Sequence, residues 1–382
     1  MSLKVLYDYQ IFEQRFGGIS NYFAKHLEIM RQGREMGVAL PIAYHNNYHL
    51  NKINFTQIYS EGYYEKIVKK IIGKKRYRNF TRKTNQELSN RALEKGDFDI
   101  FHPTYYDPYF LERIGNKPFV LDIHDMTPEI FPEFFSSKNN IPLDKKLLAH
   151  KAAKIIAVSH NTKNDLINLF DIDESRVEVV YHGNTFEGVD IDKIDNFDLK
   201  KKLPEKYLLF VGNRGGYKNF YFFLNAISKT LLSDQDLKLV CTGEPFNSFE
   251  LEFIANLDLK NQVQHFKILS DNDMIVLYKN ARVFVFPSLY EGFGLPILEA
   301  FSCSCPLVAS NVSSIPEIAK DAAIYFEPKN YNSIKNAVEL VLYDENLRSN
   351  LIDKGLKRLK DFSWQSSVDQ TFEIYRNLLK EL

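Results

Sequence analysis

At 382 residues and 45% apolar content the chain is too long for one ordinary hydrophobic core and too apolar to be disordered, so two domains are expected. Lysine plus arginine equals aspartate plus glutamate at 49 each, which excludes a global field that recruits nucleic acid. Three cysteines cannot build a disulfide framework, MSLKVLYDY is no signal peptide, and no apolar run reaches the ~18 residues of a membrane span, so a cytoplasmic protein is expected.

Short apolar runs alternate with amphipathic stretches, the pattern of parallel sheets with crossover helices. LKVLYD (3–8) reads as a first strand, and the segment after Gly17-Gly18 as a helix to about Met36. DIFH near 100, FVLDI (119–123), KIIAVS (154–159) and VEVVYH (177–182) read as further strands. DIDKIDNFDLKKKLPEK (190–206) is poor in apolar residues and reads as a linker. The second half restarts with YLLFVG (207–212), then LKLVCTG (237–243), VQHF (263–266), RVFVFPS (282–288), PLVAS (306–310) and AAIYFEP (322–328). After Asn330 only helices are predicted. In open parallel sheets ligands bind beyond the C-terminal strand ends, which directs attention to the loops after each run.

Two such loops carry chemistry. In VFVFPSLYEGFGLPILE (283–299) a strand enters a loop containing Gly292 and Gly294, and a helix starts near Leu295. Glycines let backbone N–H groups approach an anion, and the helix N-terminus adds positive partial charge, which together hold a phosphate. Glu291 precedes the helix and could accept hydroxyls of a sugar; Glu299, one turn in, could accept a ribose diol. YLLFVGNRGGYKNF (207–220) places Arg214 and Lys218 on a glycine-rich turn after a strand.

E-G-F-G-L-P-I-L-E resembles the E-x7-E motif of the retaining family 4 glycosyltransferases. The resemblance implies an α/β chain of the GT-B fold, two facing Rossmann-like doubly wound domains with a C-terminal helix crossing back. It divides the chain into 1–195 on the acceptor side, with 364–382 packing back on it, and 196–363 for the nucleotide sugar. Arg214 and Lys218 resemble the residues that grip the donor diphosphate. Gly17 and Gly18 resemble the family's N-terminal glycine loop, and Gly292, Phe293, Gly294, Leu295 and Glu299 complete the implied donor site. His124 and Asp125, at the end of FVLDIHD, resemble the His-Asp pair of a mannosyltransferase-rich branch, and with Glu291, Arg214 and Lys218 they are candidate catalytic residues.

The expected activity is therefore retaining, metal-independent transfer of a hexose, with GDP-mannose the first choice of donor, to a glycan or lipid-diphosphate-linked acceptor in surface polysaccharide or lipopolysaccharide synthesis. No resident cofactor or metal is expected. D-x-D pairs at Asp97–Asp99, Asp171–Asp173 and Asp190–Asp192 are read as chance in an acid-rich chain. The alternatives are a non-catalytic sugar-nucleotide binder and a nucleotide-sugar epimerase of the same fold. A hydride-transfer enzyme is disfavoured, because no G-x-G-x-x-G follows the first strand. Residues 66–83, KIVKKIIGKKRYRNFTRK, are basic without an acid, and an anionic membrane surface, on the inner face of the membrane, is a further expected partner.

Overall fold

A computed structural model describes residues 3–33, 36–53, 73–137 and 139–381. In the first half, β1 (Leu3–Tyr7), β2 (Met36–Ala39) and β3 (Ile100–His102) pair in the order β2-β1-β3. β4 (Val120–Ile123), β5 (Lys154–Ala157) and β6 (Val177–Val179) follow in the order β4-β5-β6, and a bridge between Phe101 and Phe119 joins the two ladders. In the second half, β7 (Lys206–Phe210), β8 (Leu237–Cys241), β9 (Val263–His265), β10 (Val283–Phe286), β11 (Leu307–Ser310) and β12 (Ala323–Phe326) form one sheet, β12-β11-β10-β7-β8-β9. Every pairing is parallel.

The strands are continuous apolar runs because helices cover both faces of each sheet. All four residues of β4, β10 and β11 are buried. The helix Phe220–Ser233 shows the complementary period: Phe220, Phe223, Leu224, Ile227 and Leu231 form its buried stripe.

Strand order fixes where ligands can sit. In the second sheet the chain moves outward from β7 through β8 to β9, then crosses back and runs outward from β10 on the other side. The loops after β7 and β10 therefore diverge and leave a crevice between them. The first sheet has the same switch between β1 and β3.

The C-terminal helix Trp364–Glu381 packs into the first domain. Trp364 Nε1 donates to Asn184 O at 2.8 Å, and the Tyr375 hydroxyl lies 2.9 Å from that of Tyr7. A Cβ on Gly183 would lie 2.4 Å from Trp364 N, so glycine there lets the helix start close against the chain.

Two readings change. The first helix, Gly18–Gln32, stops before Met36, which opens β2, a short, partly exposed edge strand that follows the helix closely in the chain. The segment 190–206 is docked rather than free: Lys279 Nζ donates to Ile191 O at 2.9 Å, and Asn196 Nδ2 to Asp273 Oδ1 at 3.0 Å. Of the basic stretch, 66–72 lies outside the described residues. The rest belongs to the helix Lys74–Lys95, where Lys74, Lys75 and Arg76 are exposed. Two D-x-D pairs have local partners: Asp99 accepts from Lys4 N and Asp97 pairs with Lys4 Nζ, while Asp173 caps Ser175 N.

Candidate active site

The crevice between β7 and β10 brings Lys218 and Glu291 together. Lys218 Nζ lies 2.7 Å from Glu291 Oε1, with both side chains largely buried. Burial, the largest single influence, lowers the ammonium's pKa, but Glu291 together with Tyr217 and Asp125 outweighs it and the net shift is upward. Asn219, in the left-handed conformation at φ 59°, turns the chain after Lys218. Its Nδ2 donates to Pro287 O at 3.1 Å and Pro328 O at 2.8 Å, tying the two loops together.

The E-G-F-G loop is held by hydroxyls from both domains. Ser314 Oγ donates to Glu291 O and Phe293 O, each at 2.9 Å, and Glu291 N donates to Ser313 Oγ. From the first domain Ser159 Oγ donates to Gly292 O at 2.6 Å and Thr162 Oγ1 to the same oxygen at 3.1 Å. With its carbonyls engaged, the loop delivers its N–H side and the start of the helix Leu295–Ser302 to the crevice. Gly294, at φ 107°, makes the turn into that helix, a conformation costly to any side chain.

His124 and Asp125 meet this loop at Gly292, where a Cβ would lie 1.8 Å from His124 O and 2.8 Å from Asp125 Cβ. His124 is 8% exposed, and neither ring nitrogen finds a partner among the described residues. Burial lowers its pKa to about 4, so the imidazole is neutral at pH 7. The neighbouring aromatic rings of Tyr22, Phe23 and His182 leave it few polar contacts. Gly18 faces the helix Leu295–Ser302, its Cβ position 3.2 Å from Leu295 Cδ1; Gly17 precedes it against Gln14.

Two expected residues act differently. Arg214 is 4% exposed and spends its donors internally: Nε lies 2.8 Å from Glu250 Oε1 and Nη1 2.8 Å from Thr242 O. It fastens the 242–250 loop rather than presenting a free guanidinium, because Glu250, distant in sequence, folds back beside it. The ring of Phe293 is buried at 4.8 Å from His182, so only its main chain is available to a donor.

Sequence reasoning missed the latch between domains. Glu317 of the second domain accepts from His160 N at 2.8 Å and Asn161 N at 3.1 Å, at the start of the helix His160–Phe170, and from Tyr181 OH at 2.8 Å. Tyr290 OH donates to Asp165 at 2.8 Å and accepts from Met126 N. The strings AVSHNT and SNVSSIPE held the signal, but nothing local shows that they meet.

Glu299 sits under the helix start, where Tyr278 OH donates to its Oε2 at 3.1 Å. Burial raises its pKa from 4.5 to about 7. For an acid raised in the folded state, the protonated form is stabilised: stability is highest below pH 4.5 and falls as pH rises to about 7. Glu299→Gln removes that penalty, on the order of 2 kcal/mol above pH 7. Melts should show a higher Tm for the variant at pH 8, no gain at pH 4.5, and weaker nucleotide binding. An equal Tm at pH 8 would mean that the carboxylate is not desolvated.

The comparisons agree with this geometry. The model of glycosyl transferases group 1 matches residues 192–358, and that of glycosyltransferase family 4 matches residues 55–185. Between them these two glycosyltransferase models match most of the chain, which is a glycosyltransferase. The O-antigen chain mannosyltransferase B of Escherichia coli is 29% identical to it over 290 residues, 73% of the chain and 74% of that protein. The O-antigen chain mannosyltransferase RfbU of Salmonella typhimurium is 26% identical over 57% of the chain and 59% of its own length. A solved glycosyltransferase from Rickettsia africae superposes with a TM-score of 0.71 at 19% identity over the whole of both chains. Anabaena HepE, solved with UDP and glucose, gives 0.71 at 15% identity, covering 98% of this chain and 99% of its own. The fold is GT-B, and the transferase is a hexosyltransferase.

Proposed function

We propose that the transferase moves mannose from GDP-mannose to a glycan or lipid-linked glycan acceptor in surface polysaccharide synthesis, with retention of configuration and without a metal. The observation that carries this reading is the buried Lys218–Glu291 pair at the switch point, beside the E-G-F-G loop and a helix N-terminus. Cleaving the bond between anomeric carbon and phosphate develops negative charge on the diphosphate. Lys218 and the helix N-terminus supply fixed opposite charge there, in place of a metal. Glu291, released from Lys218, accepts hydroxyls of the sugar, and Glu299 accepts the ribose diol. Neutral His124 and Asp125 line the sugar side. In a front-face reaction the acceptor oxygen bonds to the anomeric carbon as the phosphate leaves, and the leaving phosphate takes the acceptor's proton. The two mannosyltransferase relatives support the choice of sugar. Among the described residues no helix is long and apolar enough to cross a membrane, and the exposed Lys74, Lys75 and Arg76 offer charge for an anionic surface.

A thermal-shift panel of GDP, UDP, ADP and their sugar conjugates tests this. A ligand of the native state raises Tm. GDP and GDP-mannose are expected to give the largest shifts, unchanged by EDTA. A larger UDP shift would move the donor to a uridine sugar, and loss of every shift in EDTA would overturn metal independence.

A further inference from the structure

The first sheet has a switch-point crevice of its own, and its lining differs from that of the second. The loops after β1 and β3 border an open groove of about 370 Å³, also lined by the helices Lys74–Lys95 and Ile141–Lys151. Its walls carry Tyr105, with its ring 4.8 Å from that of Tyr106, and the polar side chains of Glu13, Arg78, Arg82, Asp107 and Asp144.

The groove is built rather than incidental. Gln10 Oε1 accepts from Asp107 N at 2.8 Å, and its Nε2 donates to buried Asp8 at 2.7 Å. Arg82 Nη2 donates to Asp107 Oδ2 at 3.1 Å and Nε lies 3.9 Å from Glu13. By contrast, the Asp144 carboxylate accepts no hydrogen bond from any described residue. Its pKa is held above the usual range, first by burial and then by the charge of Asp107.

The groove also adjoins the reaction centre. Tyr106 OH accepts from His124 N at 3.4 Å, and the ring of Tyr106 lies 5.1 Å from Lys145 Nζ, which donates to Asp125 O. At its other end Gln14 lies against Gly17.

We infer that this groove binds a neutral sugar residue of the acceptor glycan, next to the residue that receives the transferred sugar, with a pyranose face against Tyr105 and hydroxyls donating to Glu13 and Asp144. This rests on the transferase reading above. An anionic head group fits less well: three carboxylates face two arginines, and Arg82 is already committed to Asp107. Sugar hydroxyls supply the donors that a free carboxylate lacks, and sugar C–H faces pack on aromatic rings.

The test is isothermal titration of the whole chain, saturated with GDP, with an α-linked mannotriose and separately with inorganic pyrophosphate. Mannotriose should bind in the millimolar range, weaken about tenfold in Glu13→Gln and in Asp144→Asn, and leave the GDP affinity of both variants unchanged. Pyrophosphate should give no heat. Mannotriose that fails to bind, or binds both variants as it binds the parent, overturns the inference; so does pyrophosphate binding that Arg78→Ala abolishes. Both substitutions are near-isosteric at solvent-accessible positions, and melts confirm folding. If GDP itself gives no heat, the donor reading fails, and mannotriose titrated alone still reads the groove.

Discussion

Lys218→Ala should reduce kcat/KM by about a hundredfold to a thousandfold and abolish the thermal shift produced by a nucleoside diphosphate. In the free protein the ammonium neutralises Glu291 at 2.7 Å. In the proposed mechanism the donor diphosphate competes for Lys218, and the released carboxylate becomes available to the sugar. Alanine therefore removes the phosphate's counter-charge and also leaves Glu291 buried without a partner, which is destabilising in its own right. The double variant Lys218→Met, Glu291→Gln separates the two effects: its stability should recover while its activity stays low. Steady-state kinetics and melts on the same preparations read both. A Lys218→Ala enzyme that kept a tenth or more of the parental kcat/KM (about 1.4 kcal/mol or less) would show that the phosphate is held elsewhere.

Gly292→Ala should abolish transfer and leave nucleotide binding largely in place. The new methyl would lie 1.8 Å from the carbonyl oxygen of His124, and that neighbour is backbone, so no rotamer change relieves the clash. The loop must draw back from the first domain, losing the bonds from Ser159 and Thr162 to Gly292 O. Overpacking of this kind costs about 1–3 kcal/mol when the surroundings yield, and here the interface between domains is what yields. Lys218 and the helix Leu295–Ser302 belong to the second domain and remain together, so the GDP shift should persist. Turnover, which in the proposed mechanism needs His124, Asp125 and the acceptor side brought against Glu291, should fall by about two orders of magnitude or more. Small-angle scattering should show a larger radius of gyration. Unchanged scattering with normal turnover would mean that the two domains do not need this close approach.

Most of the fold was legible because parallel strands buried on both faces leave continuous apolar runs, as in Val283–Phe286 and Leu307–Ser310. The E-G-F-G loop was legible because glycine conformations, carboxylates and a helix start lie within nine residues of chain, 291–299. β2 was not, since its short run Met36–Ala39 contains a glycine and follows the first helix after only a few residues. Lys218 and Arg214 look equivalent on one turn, yet one faces the crevice and the other closes on Glu250, a difference set by a partner 36 positions away. Thr162 and Glu317 were likewise silent, because a hydroxyl's or carboxylate's role depends on which main-chain atom folding places beside it. The sequence by itself determined the alternating elements, the two sheets and the glycine loop that opens a helix, all products of local periodicity and backbone chemistry. Only the tertiary structure decided which charges pair, how the domains latch, and that a second crevice opens between β1 and β3. Those outcomes depend on strand order and on contacts between residues far apart in the chain.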